Sequence, residues 1–308
     1  MGEITMQIEI TEINKKIADA QFIADCENSY QQTVLDTAKK IIAEKDNCPI
    51  ILISGPSGSG KTTTAMMLEK ALDEMGHETH VLSMDNYFYP MTKEQQQLAL
   101  EDKIDLESPD RVDIEFLNSQ LADIIACKPV MLPKFNFTDN VREESGRILH
   151  RKEGEMVILE GIHALNPDVI TVDKTVGIYV SGRTRVVTPD GKTIHPENIR
   201  LIRRMHRDTT QRGRSYSETI KMYPRVQRGE NLYIMPYKHR ADFDFDTFVP
   251  YELNVFAGMD LDAMQKAGIG NELPELIELL KNATPLECCK VGKNSLLREF
   301  IGGGCFEY

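Results

Sequence analysis

Cysteine, long apolar runs and excess positive charge are all scarce in this 308-residue chain, and each scarcity removes a class of protein. The six cysteines (Cys26, Cys48, Cys127, Cys288, Cys289, Cys305) form no CxxC pair and no regular spacing. That argues against a zinc ribbon or a disulfide framework and for a reducing compartment. No run approaches the roughly 18 apolar residues of a membrane helix, and no basic segment followed by an apolar stretch opens the chain. A soluble, unexported, cytoplasmic protein is therefore expected. Lys and Arg total 36 against 48 Asp and Glu, a net charge of −12, which excludes non-specific binding to nucleic acid. Any polyanion must sit in a local basic pocket. The seven histidines include no HxxxH pair, so no zinc site is expected, and only His163 invites testing as a substrate contact. Cys305-Phe306-Glu307-Tyr308 has a cysteine at prenylation distance, but Glu307 is not aliphatic and Tyr308 is an unusual last residue.

What is present is a core-forming composition, 41% hydrophobic, long enough for one large domain with appendages. Residues 1–49 read as an N-terminal appendage: an alternating stretch from Ile4 to Ile10, then apolar residues at helical spacing (Val34, Leu35, Ala38, Ile41, Ile42) up to Asn47-Cys48-Pro49. Residues 50–250 alternate strand and helix patterns. Strands are expected near 50–53, 80–83, 156–159 and 176–180, and helices from 61 to about 75, over 112–126 and over 197–211. This alternation predicts an α/β fold, a mostly parallel sheet with helices on both faces. Residues 132–137 and 147–150 read as short extra strands framing an acceptor site. Residues 251–308 read as a helical extension packed on that domain, with helices over 252–265, 274–282 and 295–301.

Gly55-Pro56-Ser57-Gly58-Ser59-Gly60-Lys61-Thr62 fits G-x-x-x-x-G-K-[ST] and stands between a strand and a helix, as a phosphate cradle must. Its glycines let backbone amides turn inward, the helix N-terminus adds positive potential, Lys61 reaches the β and γ phosphates, and Thr62 offers its hydroxyl to Mg²⁺. A dinucleotide loop is excluded, because Thr63 stands where G-x-G-x-x-G needs its third glycine.

Asp85 follows the strand at 80–83, and Glu160 ends the strand at 156–159. In an open parallel sheet both emerge at the carboxyl edge beside the phosphate loop. Phosphoryl transfer needs its nucleophile oriented more than deprotonated early, so an ordinary aspartate serves as base. Asp85 is assigned to that role and Glu160 to the metal side. The aromatic run Tyr87-Phe88-Tyr89 lies close by. Eight arginines fall between Arg200 and Arg228 against only Asp208 and Glu218. Arg200, Arg203, Arg204 and Arg207 share a helix face, and Arg212-Gly213-Arg214 adds a glycine-hinged pair, together a phosphate-clamping lid. Phe135 and Phe137, on a strand, are expected to be core rather than a stacking platform.

These stretches resemble the phosphoribulokinase/uridine kinase family, and within it the uridine-kinase-like bacterial branch. The resemblance is carried by residues 55–62, Asp85-Asn86-Tyr87, 132–137 with Arg142, Glu160-Gly161-Ile162-His163 and 200–214. It extends to Tyr223-Pro224, Arg228-Gly229-Glu230 and 295–303. It implies ATP or GTP as donor with Mg²⁺, Asp85 as catalytic base, Thr62 and Glu160 on the metal side, and Glu107 or Asp110 near ribose hydroxyls. Lys61, Arg207 and Arg212 would take part in catalysis. Gly55, Ser57, Gly58, Ser59, Gly60, Thr63 and Arg214 would hold nucleotide, and Tyr87, Phe135, Asn140, His163 and Arg204 the acceptor. In the pyrimidine site Phe135 stands for a tyrosine, Asn136 for an aspartate, Asn140 for a histidine and Met222 for a glutamine, so polar groups that read the base are replaced. The expected reaction is phosphorylation of a small-molecule hydroxyl, with uridine or cytidine leading. A sugar, sugar phosphate or pantothenate-like alcohol is the first rival and a regulatory NTPase the second. The absence of N-K-x-D and LSGGQ-type motifs counts against the NTPase. No membrane or nucleic-acid partner is expected, and a homo-oligomer stays open.

Overall fold

The computed structural model describes residues 6–44 and 48–306. The features expected at Ile4, Asn47, Glu307 and Tyr308 lie outside the described residues. Strand β1 (Gln7–Glu9) leads into helices α1 (Ile10–Lys16) and α2 (Ala20–Glu44). β2 (Ile50–Ser54) runs into α3 (Lys61–Glu74), and β3 (Thr79–Ser83) precedes α4 (Lys93–Leu100) and α5 (Ile114–Ile125). A hairpin of β4 (Val130–Asn136) and β5 (Val141–Leu149) is followed by β6 (Met156–Glu160), β7 (Thr175–Ser181), β8 (Arg185–Val187) and β9 (Thr193–Ile194). Then come α6 (Pro196–Gln211), α7 (Tyr216–Gly229), β10 (Phe243–Asp246), α8 (Glu252–Phe256), α9 (Leu261–Lys266), α10 (Ile269–Glu272), α11 (Pro274–Asn282) and α12 (Arg298–Ile301).

β2 and β6 are buried throughout, as strands covered on both faces must be. They sit inside a five-stranded sheet, order β10-β7-β2-β6-β3, in which every neighbouring pair is parallel. Alternation along β2 divides its side chains. Ile50 and Leu52 pack with Leu117, Leu121 and Ile124 of α5, whereas Ile51 and Ile53 pack with α2 and α3. The register sets both Ile53 and Ser83 opposite Glu160, so β2, β6 and β3 end flush. The expected α/β sheet with helices on both faces is the observed one.

The differences are local. Residues 147–150 are not a separate strand but the end of β5, which pairs antiparallel with β4. The alternation from Ile4 to Ile10 yields only the three-residue β1, because Ile10 already opens α1. The helix expected over 252–265 breaks into α8 and α9, since the Asp260 carboxylate caps α9 through Ala263 N at 2.9 Å. The helix expected over 295–301 shrinks to one turn and stops at Gly302, φ +75°. α7 starts with a Ser215/Glu218 capping box and carries Pro224 in its interior.

The chain ends join the body. β1 pairs parallel with β8. Ile10 and Ile13 share a buried cluster with Ile199 and Met205 of α6, Leu276 of α11 and Phe300 of α12. Among the described residues no helix is long and apolar enough to cross a membrane.

One buried ion pair anchors α6. Arg203 meets Glu252 at 2.6 Å (Nε) and 2.9 Å (Nη2), with side chains 1% and 0% exposed. Val249 N also donates to Glu252 at 3.2 Å. Arg203→Met leaves the Glu252 carboxylate buried without its cation, and about 3–5 kcal/mol of stability should be lost. Denaturant unfolding checks this; a loss below about 1 kcal/mol would show the pair to be replaceable.

Candidate functional site

The phosphate loop is shaped by what holds its carbonyl groups. Gly58 O accepts from Arg203 Nη1 at 3.2 Å and Ser59 O from the Thr247 hydroxyl at 2.6 Å. Pro56 O accepts from Ser59 N and Lys61 Nζ, each at 3.2 Å, and Gly60 O from Thr64 N at 3.0 Å and Oγ1 at 2.7 Å. A loop whose carbonyls are held outward presents its amides to the concave side. Glycine is required at two places for different reasons. A Cβ at Gly55 would lie 1.9 Å from Val180 O, and Gly60 has φ +88° at the N-terminus of α3. Ser59 Oγ and Arg204 Nε are buried without hydrogen-bond partners among the described residues. Buried donors around an amide-lined loop are what an anion would satisfy.

Asp85 stands in the short turn after β3, and Glu160 ends β6, on the edge the flush register creates. Burial raises the Asp85 pKa above the usual aspartate value, opposed by the Lys61 and Arg212 charges. Glu160 is also raised, first by burial and then by the Asp85 charge, against the pull of Lys61 and a Ser83 hydrogen bond. Two repelling carboxylates beside a lysine would be relieved by a further cation. Thr62 and Glu160 offer only oxygen, which suits Mg²⁺. Among the described residues no three His, Cys, Asp or Glu gather into a cage. An ion would thus take its remaining positions from phosphate and water, as Mg²⁺ ordinarily does.

Glu107 lies against Gly229 of α7, and burial pushes its pKa up to about 7 despite Arg204 and Lys61. His163 is 1% exposed, edge-on to Tyr233 with ring centroids 6.2 Å apart, and burial presses its pKa down to about 4. It sits beside the Glu107 and Tyr233 backbones.

The arginines divide by task. Arg200 and Arg203 are taken up by Glu230 and Glu252, and Arg225 and Arg228 by Asp102 at 3.1 and 3.3 Å. Arg204 donates to the Ser57 hydroxyl of the loop. Arg207, Arg212 and Arg214 surround the fully buried Asp208 at 3.5, 3.8 and 3.9 Å. Burial and the neighbouring Arg207 lower the Arg212 pKa to about 10, so it stays charged at neutral pH. Gly213, φ +66°, turns the chain between Arg212 and Arg214, whose side chains are half exposed. The shared face expected for all four α6 arginines therefore splits into a structural half and a half that reaches the loop and Asp208.

A cavity of 620 Å³ opens between α4, the tip of the β4–β5 hairpin and α7. Phe135, Asn140, Met222 and Arg214 line it, together with Phe88, Phe137 and Arg111. Phe135 meets Phe88 and Phe137 in edge contacts at 6.0 and 5.1 Å. The core position expected for Phe137 is corrected: β4 ends at Asn136, and Phe137 is 61% exposed at the mouth. Tyr87 is also corrected. It is 1% exposed and turned into the core, where its hydroxyl donates to Gln120 at 2.8 Å, leaving Phe88 to face the cavity. Sequence reading missed Arg111, Thr247 and Tyr30, none of which stands in a phosphate-site pattern, and gave Glu299, within the stretch 295–303, no role. Tyr30 of α2 hydrogen-bonds Thr64 at 2.6 Å, and Glu299 of α12 accepts from the Thr63 hydroxyl at 2.9 Å.

Residues 50–252 match the model of the phosphoribulokinase/uridine kinase family. A protein named uridine kinase from Lactobacillus johnsonii is 33% identical over 196 residues, 63% of this chain and 84% of its own length. One of the same name from Pasteurella multocida is 30% identical over 201 residues, 64% of this chain and 84% of its own. A solved structure described as a possible uridine kinase from Bacillus stearothermophilus is 20% identical, with a TM-score of 0.44, covering 70% of this chain and 98% of that one. With residues 50–252 matched, a span that includes the loop, both carboxylates and the arginine helix, the protein belongs to the phosphoribulokinase/uridine kinase family.

Proposed function

We propose that the protein moves the γ-phosphoryl group of ATP or GTP onto a small-molecule hydroxyl, with the 5′-hydroxyl of uridine or cytidine as leading acceptor. The observation that carries this reading is the flush edge of β2, β6 and β3, which brings Asp85 and Glu160 beside the phosphate loop. The relatives named uridine kinase support the acceptor class.

In this reading the loop from Gly55 to Thr63, including Ser57, Gly58, Ser59 and Gly60, cradles the phosphates, and Lys61 leaves Pro56 O for their oxygens. Thr62 and Glu160 would hold a Mg²⁺ ion, which would supply positive charge against the triphosphate. Asp85 orients the acceptor hydroxyl and takes its proton as the new O–P bond forms and the bond from the γ-phosphorus to the β–γ bridging oxygen breaks, releasing the nucleoside diphosphate. Its raised pKa makes it a better base than a free aspartate. Arg204, Arg207, Arg212 and Arg214 meet the transferring oxygens and exclude water. Glu107 faces the ribose hydroxyls, and the Phe88, Phe135 and Phe137 edges hold the base beside Asn140. His163, buried beside Glu107 with its pKa pressed down to about 4, would meet the acceptor as a neutral ring.

The cavity also supports a second reading. With Phe135, Phe137 and Met222 on its walls, few buried polar groups are there to be left unpaired by a wrong acceptor, and rejection is correspondingly weak. A sugar, sugar phosphate or pantothenate-like alcohol is the alternative substrate.

Incubation with ATP or GTP, Mg²⁺ and a panel of nucleosides, sugars and vitamins, scored by product mass, should give a phosphorylated nucleoside, and Lys61→Ala should abolish it. Free phosphate alone across the panel would point to an NTPase instead. Asp85→Asn should lower kcat by about 10²–10⁴-fold with little change in nucleotide affinity; an unchanged rate would remove Asp85 from the chemistry.

Glu107 gives a pH signature. Its folded pKa of about 7 lies above the free value of 4.5, so the protonated form's stabilising contribution is complete below 4.5 and lost as pH rises through about 7. Glu107→Gln should therefore gain stability relative to the parent chain across that window, with a plateau above about pH 8. Thermal unfolding of both proteins along a pH series reads this, and a pH-independent difference would mean the carboxyl titrates normally.

A further inference from the structure

Residues outside the family-matched span reach the first turn of the phosphate helix from both sides. Tyr30 hydrogen-bonds Thr64 at 2.6 Å, and the Glu299 carboxylate sits on the preceding residue. Glu299 Oε2 accepts from Thr63 Oγ1 at 2.9 Å and Thr63 N at 3.4 Å, while Oε1 lies 3.8 Å from Arg207 Nη1. Arg207 is thus flanked by two carboxylates, Asp208 at 3.5 Å on its own helix and Glu299 from the far end of the chain.

We propose that Glu299 is a positioning residue that ties the phosphate loop to the lid, holding Thr63 with one oxygen and Arg207 with the other. This rests on the reading of Arg207 as a contact of the transferring phosphoryl group. Capping α3 is the bland account of a carboxylate at a helix N-terminus. It explains the Thr63 contact but not the second oxygen on the lid arginine.

The segment carrying Glu299 does not need that side chain to stay in place. Arg298 donates to the carbonyls of Gly292, Gly302, Cys288 and Val291. Gln211 Nε2 donates to the Phe300 carbonyl at 3.0 Å, and His206 Nδ1 lies 3.1 Å from the same oxygen. The Phe300 ring lies under the Arg203 guanidinium, 5.1 Å from centroid to Cζ. With the backbone fixed by these neighbours, a change at Glu299 alters what the carboxylate orients and leaves α12 docked.

Glu299→Gln keeps an acceptor for Thr63 and removes the charge that Arg207 meets. It should lower kcat about tenfold while nucleotide Kd stays within about threefold and the unfolding midpoint within about 2 °C. Glu299→Asp, charged but shorter, should recover part of the rate. Arg207→Met and the double variant complete a cycle, and the double variant should be no slower than Arg207→Met alone. Running the cycle on the slow nucleotide hydrolysis that needs no acceptor separates this inference from the acceptor assignment, since a wrong acceptor leaves that rate intact. Amide exchange over residues 203–211 of the triphosphate-bound protein, faster in Glu299→Gln, reads the same coupling without turnover. Multiplicative losses in the cycle, a kcat within about twofold of the parent, or equal losses of rate and stability would each overturn the proposal.

Discussion

The structure depends on keeping the carbonyl groups of one short loop turned outward. Arg203 and Thr247 accomplish this from different elements, one on α6 and one just after β10, and Arg203 does so only because Glu252 neutralises it in a fully buried position. An unpaired guanidinium at that depth would be untenable, and without it the Gly58 carbonyl would lack its donor. The loop's capacity to receive an anion is thereby linked to an ion pair that never touches the anion.

Charge is arranged against the overall sign of the protein. The chain carries −12, yet cations crowd the space above the sheet edge, with Lys61, Arg204, Arg207, Arg212 and Arg214 all near the loop or Asp208. Asp85, Glu107 and Glu160 sit among them with pKa values raised by burial. Neither set is at ease alone. Buried donors without hydrogen-bond partners and carboxylates resisting ionisation are what the triphosphate and Mg²⁺ of the proposed reaction would relieve.

Much of this was legible in the primary structure. The parallel strands announce themselves because burial on both faces demands unbroken apolar runs, as in residues 50–53 and 156–159. Gly55 to Thr62 is legible because only glycine tolerates the contact with Val180 O and the left-handed turn at Gly60. β10 was silent because Phe243 to Asp246 is only four residues long, too short for its alternation to stand out from a loop. Tyr87 misled because adjacency to Asp85 in sequence does not say which way a ring turns within a one-turn helix. Thr247, Tyr30 and the role of Glu299 were invisible for a different reason. Each residue reaches the loop helix by tertiary contact from far along the chain, and no local periodicity records such contacts.

The pinning of α6 has a mechanical consequence. Arg200 and Arg203 are locked to Glu230 and Glu252, and Arg204 grips Ser57, so the helix is riveted along its first half to the end of α7, to α8 and to the phosphate loop. The left-handed turn at Gly213 then separates this pinned rod from α7, so the two helices meet at a corner that only glycine makes without strain.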